Sequence, residues 1–82
     1  MNEKELEDLI SMFETDGWRI FIRTAKELEE ETIRGAVDIA QTGDQWQYVR
    51  GQIHQLRSVI GYENLCRANY DQMIEDKNAE AV

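Results

Sequence analysis

The chain has 82 residues, of which 41% are hydrophobic and 32% are charged, and its 17 acidic residues against 9 basic residues give a formal net charge of −8. A domain of this size buries only about 60% of the surface that its unfolded chain exposes, so a deep core is excluded and self-association would supply further burial. The surplus of negative charge disfavours direct binding to the phosphates of nucleic acid.

The sequence contains no apolar run near the roughly 20 residues of a membrane span, and no pattern typical of a signal peptide. Its single cysteine, Cys66, has no partner for an internal disulfide. We therefore expect a soluble, intracellular protein without membrane association, folded as one helical domain over residues 1–82. The absence of proline and the long amphipathic patterns predict an all-α chain.

The first predicted helix spans residues 3–15. Leu6, Leu9, Ile10 and Phe13 follow one another at spacings of three and four, which places them on one helical face. Acidic residues occupy the first turn, where they interact favourably with the helix dipole. The pattern therefore indicates an amphipathic helix with an acidic outer side.

A tight joint between helices is predicted in the stretch ETDG. Thr15 or Asp16 can cap the second helix, and Gly17 can adopt the positive φ that closes the first. We expect the aromatic residues around this joint to face inward, together with a tryptophan from the start of the third helix. The predicted structural corner consists of Phe13, Gly17, Trp18 and Trp46.

The second predicted helix spans residues 17–41. Its acidic run from Glu27 to Glu31 suggests a metal site at first, but carboxylate-bridged centres in helical bundles need Glu-x-x-His pairs, and the only histidine, His54, follows Gly51 by three residues. We therefore predict no metal site and interpret the run as a solvated face with salt bridges. The predicted buried stripe is Trp18, Phe21 or Ile22, Ala25, Leu28, Thr32 or Ile33, Ala36 and Ile39.

The third predicted helix spans residues 44–75, after Gly43 has ended the second helix and Asp44 has capped the third. Whether it breaks at Gly61 stays open, and the tail at 76–82 is expected to fray. The short joint favours an antiparallel arrangement with the second helix, so the predicted fold is three helices, with a short N-terminal helix packed on a long antiparallel helical hairpin. The predicted seam is Trp46, Val49, Ile53, Leu56 and Ile60.

A basic edge lies beside this seam. At about 100° per residue, Arg50, His54 and Arg57 fall within an arc of roughly 60°. These side chains either pair with acids of the first or second helix, or contact an acidic or phosphate-bearing partner. Gly51 lies in the interior of the predicted helix, where glycine lowers stability relative to alanine. Close approach of another helix, which the missing side chain would permit, would explain its presence. The predicted partner or oligomer interface is Tyr48, Arg50, Gly51, His54 and Arg57.

The motifs of known catalytic sites are missing from the sequence. His54 has neither a nucleophile nor an orienting acid at a recognisable spacing, and the sequence contains no phosphate-binding glycine loop. Cys66 has no cysteine or histidine at a ligand spacing. We therefore predict no catalytic residues, no cofactor and no enzymatic activity.

Two segments, MFETDGWRIFI and QWQYVRGQIHQLRSVIGYEN, resemble a family of small proteins encoded by tailed bacteriophages, especially short-tailed ones. The similarity spans about residues 9–70. Because genes of this family tend to lie among those for virion assembly, the resemblance implies a phage protein and a head or connector accessory, but no activity. The matching residues are Phe13, Gly17 and Trp18, then Arg50, Gly51, Gln52, Ile53 and Leu56.

These observations predict a non-enzymatic structural or interaction protein that forms a homo-oligomer and binds another phage or host protein during virion assembly. It would act in the host cytoplasm or in the virion. The alternative is a small acidic inhibitor of a host enzyme or defence complex, acting as a DNA mimic through its acids or as a ligand sponge through its basic edge. Against the mimic, the second helix interleaves its acids with Arg23, Lys26 and Arg34.

Overall fold

The computed structural model describes residues 1–39 and 41–81. Ala40, Val82 and the side chain of Ile39, which the sequence placed in the buried stripe, lie outside the described residues. The described residues form helices and no strand, which confirms the all-α prediction, but they form four helices rather than three. The helices are α1 (Glu3–Phe13), α2 (Asp16–Ile39), α3 (Gly43–Ile60) and α4 (Tyr62–Glu80).

Gly61 separates α3 from α4, so the break that the sequence left open at this residue is present, and the predicted third helix is divided in two. Its backbone has φ −84° and ψ −3°, whereas an α-helix needs ψ near −42°. Glycine has no side chain to restrict its backbone, so it adopts this ψ at low cost and the helix ends here. At the other end, α4 continues to Glu80 rather than fraying from residue 76, because the stretch contains neither glycine nor proline.

The N-termini of α1 and α2 are capped by short polar side chains. Asn2 Oδ1 accepts a hydrogen bond from the backbone N–H of Glu5 at 2.8 Å, and Glu5 Oε1 accepts one from Asn2 N–H at 3.0 Å. Thr15 Oγ1 accepts from Trp18 N–H at 3.2 Å, so Thr15 caps α2. Gly17 lies inside α2 without a positive φ. The hydroxyl cap therefore replaces the glycine turn expected at this joint.

The cap of α3 is Thr42 rather than Asp44. Thr42 Oγ1 accepts a hydrogen bond from Gln45 N–H at 3.2 Å, and Gln45 Oε1 accepts one from Thr42 N–H at 3.1 Å. This reciprocal pair forms a capping box, which satisfies two backbone donors and so begins the helix at Gly43.

The chain divides into two compact units. Unit 1 comprises Met1–Arg19 and Gly61–Val82, and unit 2 comprises Ile20–Ile60. The core of unit 1 contains Leu6, Phe13 and Cys66, each no more than 3% exposed. Further apolar side chains pack against these three, namely Leu9, Ile10, Trp18, Tyr62, Tyr70 and Met73.

Polar contacts between α1 and α4 fix their relative direction. Lys77 Nζ donates to Glu3 Oε2 at 3.4 Å, Tyr70 Oη donates to Glu7 Oε1 at 3.4 Å, and Arg67 Nη2 donates to Glu14 Oε1 at 2.8 Å. Residue numbers rise along α1 as they fall along α4, so the two helices run antiparallel. The N-terminal helix thus packs on the segment after Gly61.

Unit 2 has a much smaller core than unit 1. Among the described residues, its buried side chains are those of Ala25, Ala36 and Val49. Arg57 Nε lies 3.7 Å from Glu29 Oε2, which links the last turn of α3 to the middle of α2. This pairing fits two antiparallel helices joined by a short connection. None of the four described helices qualifies as a membrane span.

Candidate interaction surfaces

One open depression of unit 2 lies between α2 and α3 and carries most of the predicted interface. We call it the basic groove. Arg50, Gly51, His54 and Arg57 all line it, whereas Tyr48 is 69% exposed and lies about 160° around α3 from Arg50. The structure therefore brings four of the five predicted residues together. The lining residues are Ile33, Gln47, Arg50, Gly51, Ile53, His54 and Arg57.

The positive charge of the basic groove is only partly neutralised. The Arg57 side chain is 64% exposed and its ion pair with Glu29, at 3.7 Å, is the longest found among the described residues. Arg50 makes no ion pair with any described residue. Because the Glu29 side chain is 23% exposed but Arg57 is largely in solvent, a pair at this distance contributes only about 1 kcal/mol.

Gly51 lies in the interior of α3, where glycine costs about 0.5 to 1 kcal/mol relative to alanine. A Cβ added at Gly51 would meet nothing within 4 Å. Packing within the described chain therefore gives no steric reason for glycine at this position. The missing side chain leaves room for close approach from outside.

A second depression lies on another side of the same helix pair, and we call it the uncharged groove. Leu28 is 49% exposed and Val59 is 38% exposed. At 100° per residue, Leu28 lies about 140° around α2 from Ile33 of the basic groove. The lining contains no charged side chain and consists of Leu28, Thr32, Gln52, Gln55, Leu56 and Val59.

The sequence stripes did not identify the uncharged groove. Leu28 belongs to the predicted buried stripe and Leu56 to the predicted seam, but Leu28 lies at the margin of the helix contact and stays half-exposed. The signal in the sequence was the width of the stripe, because its members Leu28 and Ile33 lie about 140° apart around α2, whereas an amphipathic helix typically buries a face of about 100°.

The predicted corner is built within unit 1. The Phe13 ring centroid lies 4.8 Å from that of Trp18 and 6.1 Å from that of Tyr62. Trp46 belongs to unit 2 and is 44% exposed. The second ring that contacts Phe13 is thus Tyr62 of α4. Helical periodicity could not predict this contact, because the two residues are far apart in the sequence.

A hydrogen-bonded chain closes this corner. Trp18 Nε1 donates to Glu63 Oε1 at 2.9 Å, and Arg67 donates to Glu63 Oε2 and to Glu14 Oε1, each at 2.8 Å. The bonds from Arg67 and then from Trp18 lower the pKa of Glu63 below its ordinary value. The carboxylates of Glu14 and then Glu63 raise the pKa of Arg67. These contacts tie α4 to the end of α1 and the start of α2.

Cys66 lies in the core of unit 1 and is 2% exposed. The neighbouring Cys66 thiol raises the pKa of the Tyr62 phenol. Among the described residues, no group of three or more histidine, cysteine, aspartate and glutamate side chains could hold a metal ion. Cys66 is therefore best described as a small core residue.

Charge is distributed unevenly between the two units. Unit 1 carries eleven acidic and four basic residues, whereas unit 2 carries six acidic and five basic residues. Nearly all of the net charge of −8 therefore belongs to unit 1. Unit 2, which has the smaller core and both of the grooves named above, is almost neutral.

Neither family models, nor curated proteins, nor solved structures match this chain. The charge of each unit and the side chains of the two grooves are therefore the observations from which a function is inferred.

Proposed function

We propose that the chain is a non-enzymatic helical interaction protein that self-associates through unit 2, with the uncharged groove at the contact between two copies. The observation that carries this proposal is the small core of unit 2. Among its described residues only two alanines and one valine are buried, while Leu28 and Val59 remain exposed. A second copy covering the groove would remove this apolar surface from water.

The area available is of the order that a stable contact needs. The 18 residues of α3 extend about 27 Å, and two neighbouring helices are about 20 Å wide, so one face of unit 2 projects on the order of 500 Å². Standard interfaces bury about 800 Å² of accessible surface per partner, and accessible area exceeds projected area. Completing the burial of a half-exposed leucine contributes about 1 kcal/mol.

Electrostatics favour unit 2 over unit 1 as the contact between copies. In a contact through unit 1, each copy would contribute eleven acidic and only four basic residues, and the two negative surfaces would repel each other. Unit 2 avoids this repulsion because its charges nearly balance and the uncharged groove has no ionised lining. A two-fold contact of identical faces also closes on itself and so gives a defined dimer.

Sedimentation velocity across a wide range of protein concentration tests this proposal. The apparent mass of the unmodified chain should rise with concentration, and Leu28→Glu should abolish the rise because it places a charge in the uncharged groove. Leu65→Glu is the matched control, since Leu65 belongs to unit 1 and is 57% exposed. A strict monomer at every concentration, or equal effects of the two variants, would refute it.

The biological setting that we propose is phage virion assembly, as an accessory of the head or connector. Its support is the resemblance of the segments around Gly17 and Gly51 to small phage proteins. Capture of a tagged chain from infected cells, followed by mass spectrometry, tests this setting. Recovery of a capsid or connector component supports it.

A second candidate is an inhibitor of a host enzyme or defence complex that binds DNA. The observation that favours it is the surplus of seven negative charges in unit 1. In α2 the acids are partly compensated, since Glu29 pairs with Arg57 and Glu30 with Arg34. Recovery of a host DNA-binding enzyme, displaced by competing duplex DNA, would favour this candidate over virion assembly.

A further inference from the structure

We infer that the basic groove of unit 2 binds an acidic amphipathic helix of a partner protein. This groove is complete in a single chain and does not overlap the lining of the uncharged groove. The inference therefore goes beyond self-association and does not depend on it.

Charge provides the first reason. Although the chain carries a net charge of −8, Arg50 and Arg57 line one groove together with its only histidine, His54. The one described acid that pairs with them is Glu29, at 3.7 Å from Arg57. Arg50, which has no ion pair within the described chain, and Arg57, which has only this long one, complement carboxylates supplied from outside.

The apolar lining provides the second reason. Ile33 and Ile53 line the groove beside the basic side chains, and Ile33 is 39% exposed. A small anion would leave this apolar surface in water. A helix with apolar residues on one face and acids on its flanks would cover the isoleucines and meet the arginines in the same pose.

Spacing and space agree with a helical occupant. Arg50, His54 and Arg57 stand at i, i+4 and i+7, so they cover about 10 Å along α3, close to two turns of a neighbouring helix. The absent side chain of Gly51 leaves open space within this stretch, which permits close helix approach. A nucleic acid fits less well, because its charged backbone offers no apolar face to cover Ile33 and Ile53.

Fluorescence anisotropy with labelled probes tests the inference. The first probe is a synthetic peptide with leucines on one helical face and glutamates on its flanks. The second has lysines in place of the glutamates, and the third is a single-stranded oligonucleotide. We expect saturable binding of the glutamate peptide that weakens with salt, and markedly weaker binding of the other two.

Two substitutions locate the binding site. Arg50→Glu should weaken binding of the glutamate peptide about ten- to a hundredfold, as expected for loss of a charge-assisted contact. Arg34→Glu is the matched control, because it makes the same charge change in unit 2 at a residue outside the groove. Equal weakening by both variants would show non-specific attraction and overturn the inference, as would tighter binding of the oligonucleotide or no binding of the glutamate peptide.

Gly51→Ala provides a test that a purely electrostatic contact would not pass. It should stabilise the isolated chain against unfolding, because alanine favours the helix more than glycine does. It should also weaken binding of the glutamate peptide several-fold, since the added methyl group occupies the space through which the peptide helix approaches. Gly17→Ala is the control, since its added Cβ also meets nothing within 4 Å and it belongs to unit 1. Unchanged peptide binding by Gly51→Ala would exclude close helix approach. Sedimentation of Arg50→Glu should match that of the unmodified chain, which separates this inference from self-association.

Discussion

Phe13→Ala should remove a large part of the stability of unit 1. Phe13 is 3% exposed and its ring packs against Trp18 and Tyr62, at 4.8 and 6.1 Å between centroids. Truncating a buried phenylalanine costs about 3 to 5 kcal/mol. Because a chain of 82 residues has a total stability of about 4 to 12 kcal/mol, we expect a loss of about one quarter or more.

Urea unfolding followed by tryptophan fluorescence measures this loss. The chain has two tryptophans, one in each unit, so a Trp46→Phe background leaves Trp18 as the reporter of unit 1. Leu65→Ala is the control in the same unit: Leu65 is 57% exposed, so its truncation should cost only about 1 kcal/mol. The reasoning would be refuted if the two substitutions lowered the free energy of unfolding equally.

The hydrogen bonds at the corner and the caps give three further predictions. The pKa of Glu63 is lowered in the folded chain, so its carboxylate stabilises the fold above the ordinary value of 4.5, and this stabilisation is lost as pH falls through the folded value. The melting temperature should therefore fall less between pH 7 and pH 3 in Glu63→Gln than in the unmodified chain. Trp18→Phe removes the 2.9 Å indole bond to Glu63 and should lower the free energy of unfolding by about 1 kcal/mol in urea; an unchanged value would mean that this bond contributes nothing. Thr42→Ala removes the cap of α3 and should cost about 1 kcal/mol by the same measurement, whereas Thr42→Ser should retain most of it, and equal losses in both would contradict the capping box with Gln45.

Most secondary structure of the described chain follows from local residues. Leu6 and Phe13 share a face in any α-helix because the repeat of 3.6 residues is local, and both are indeed buried. The Thr15 cap was one of two alternatives that the sequence offered, and the hydroxyl took the role. At Gly61 the residue type indicated a weak point, but whether it broke the helix depended on a backbone ψ that the sequence left open.

Burial within the predicted stripes could not be decided locally. Ala25 and Ala36 are buried while Leu28 is 49% exposed, although all three follow helical spacing. A stripe wider than one helix contact leaves its margins exposed, and which margin is exposed depends on the neighbouring helix. The predicted interface shows the same limit of local patterns: Tyr48 lies outside the basic groove that the other four predicted residues line.

The sequence by itself determined that the chain is all-α, that Leu6 and Phe13 lie on one apolar face, and that a basic edge stands beside the seam of the helix from Gly43. Only the tertiary structure decided that α1 packs on α4 and that Tyr62 joins the corner at Phe13. It also decided that Arg57 pairs with Glu29 while Arg50 makes no ion pair within the described chain. The physical reason is range: helix periodicity and caps act within a few residues, whereas packing partners are chosen by the fit of surfaces far apart in sequence.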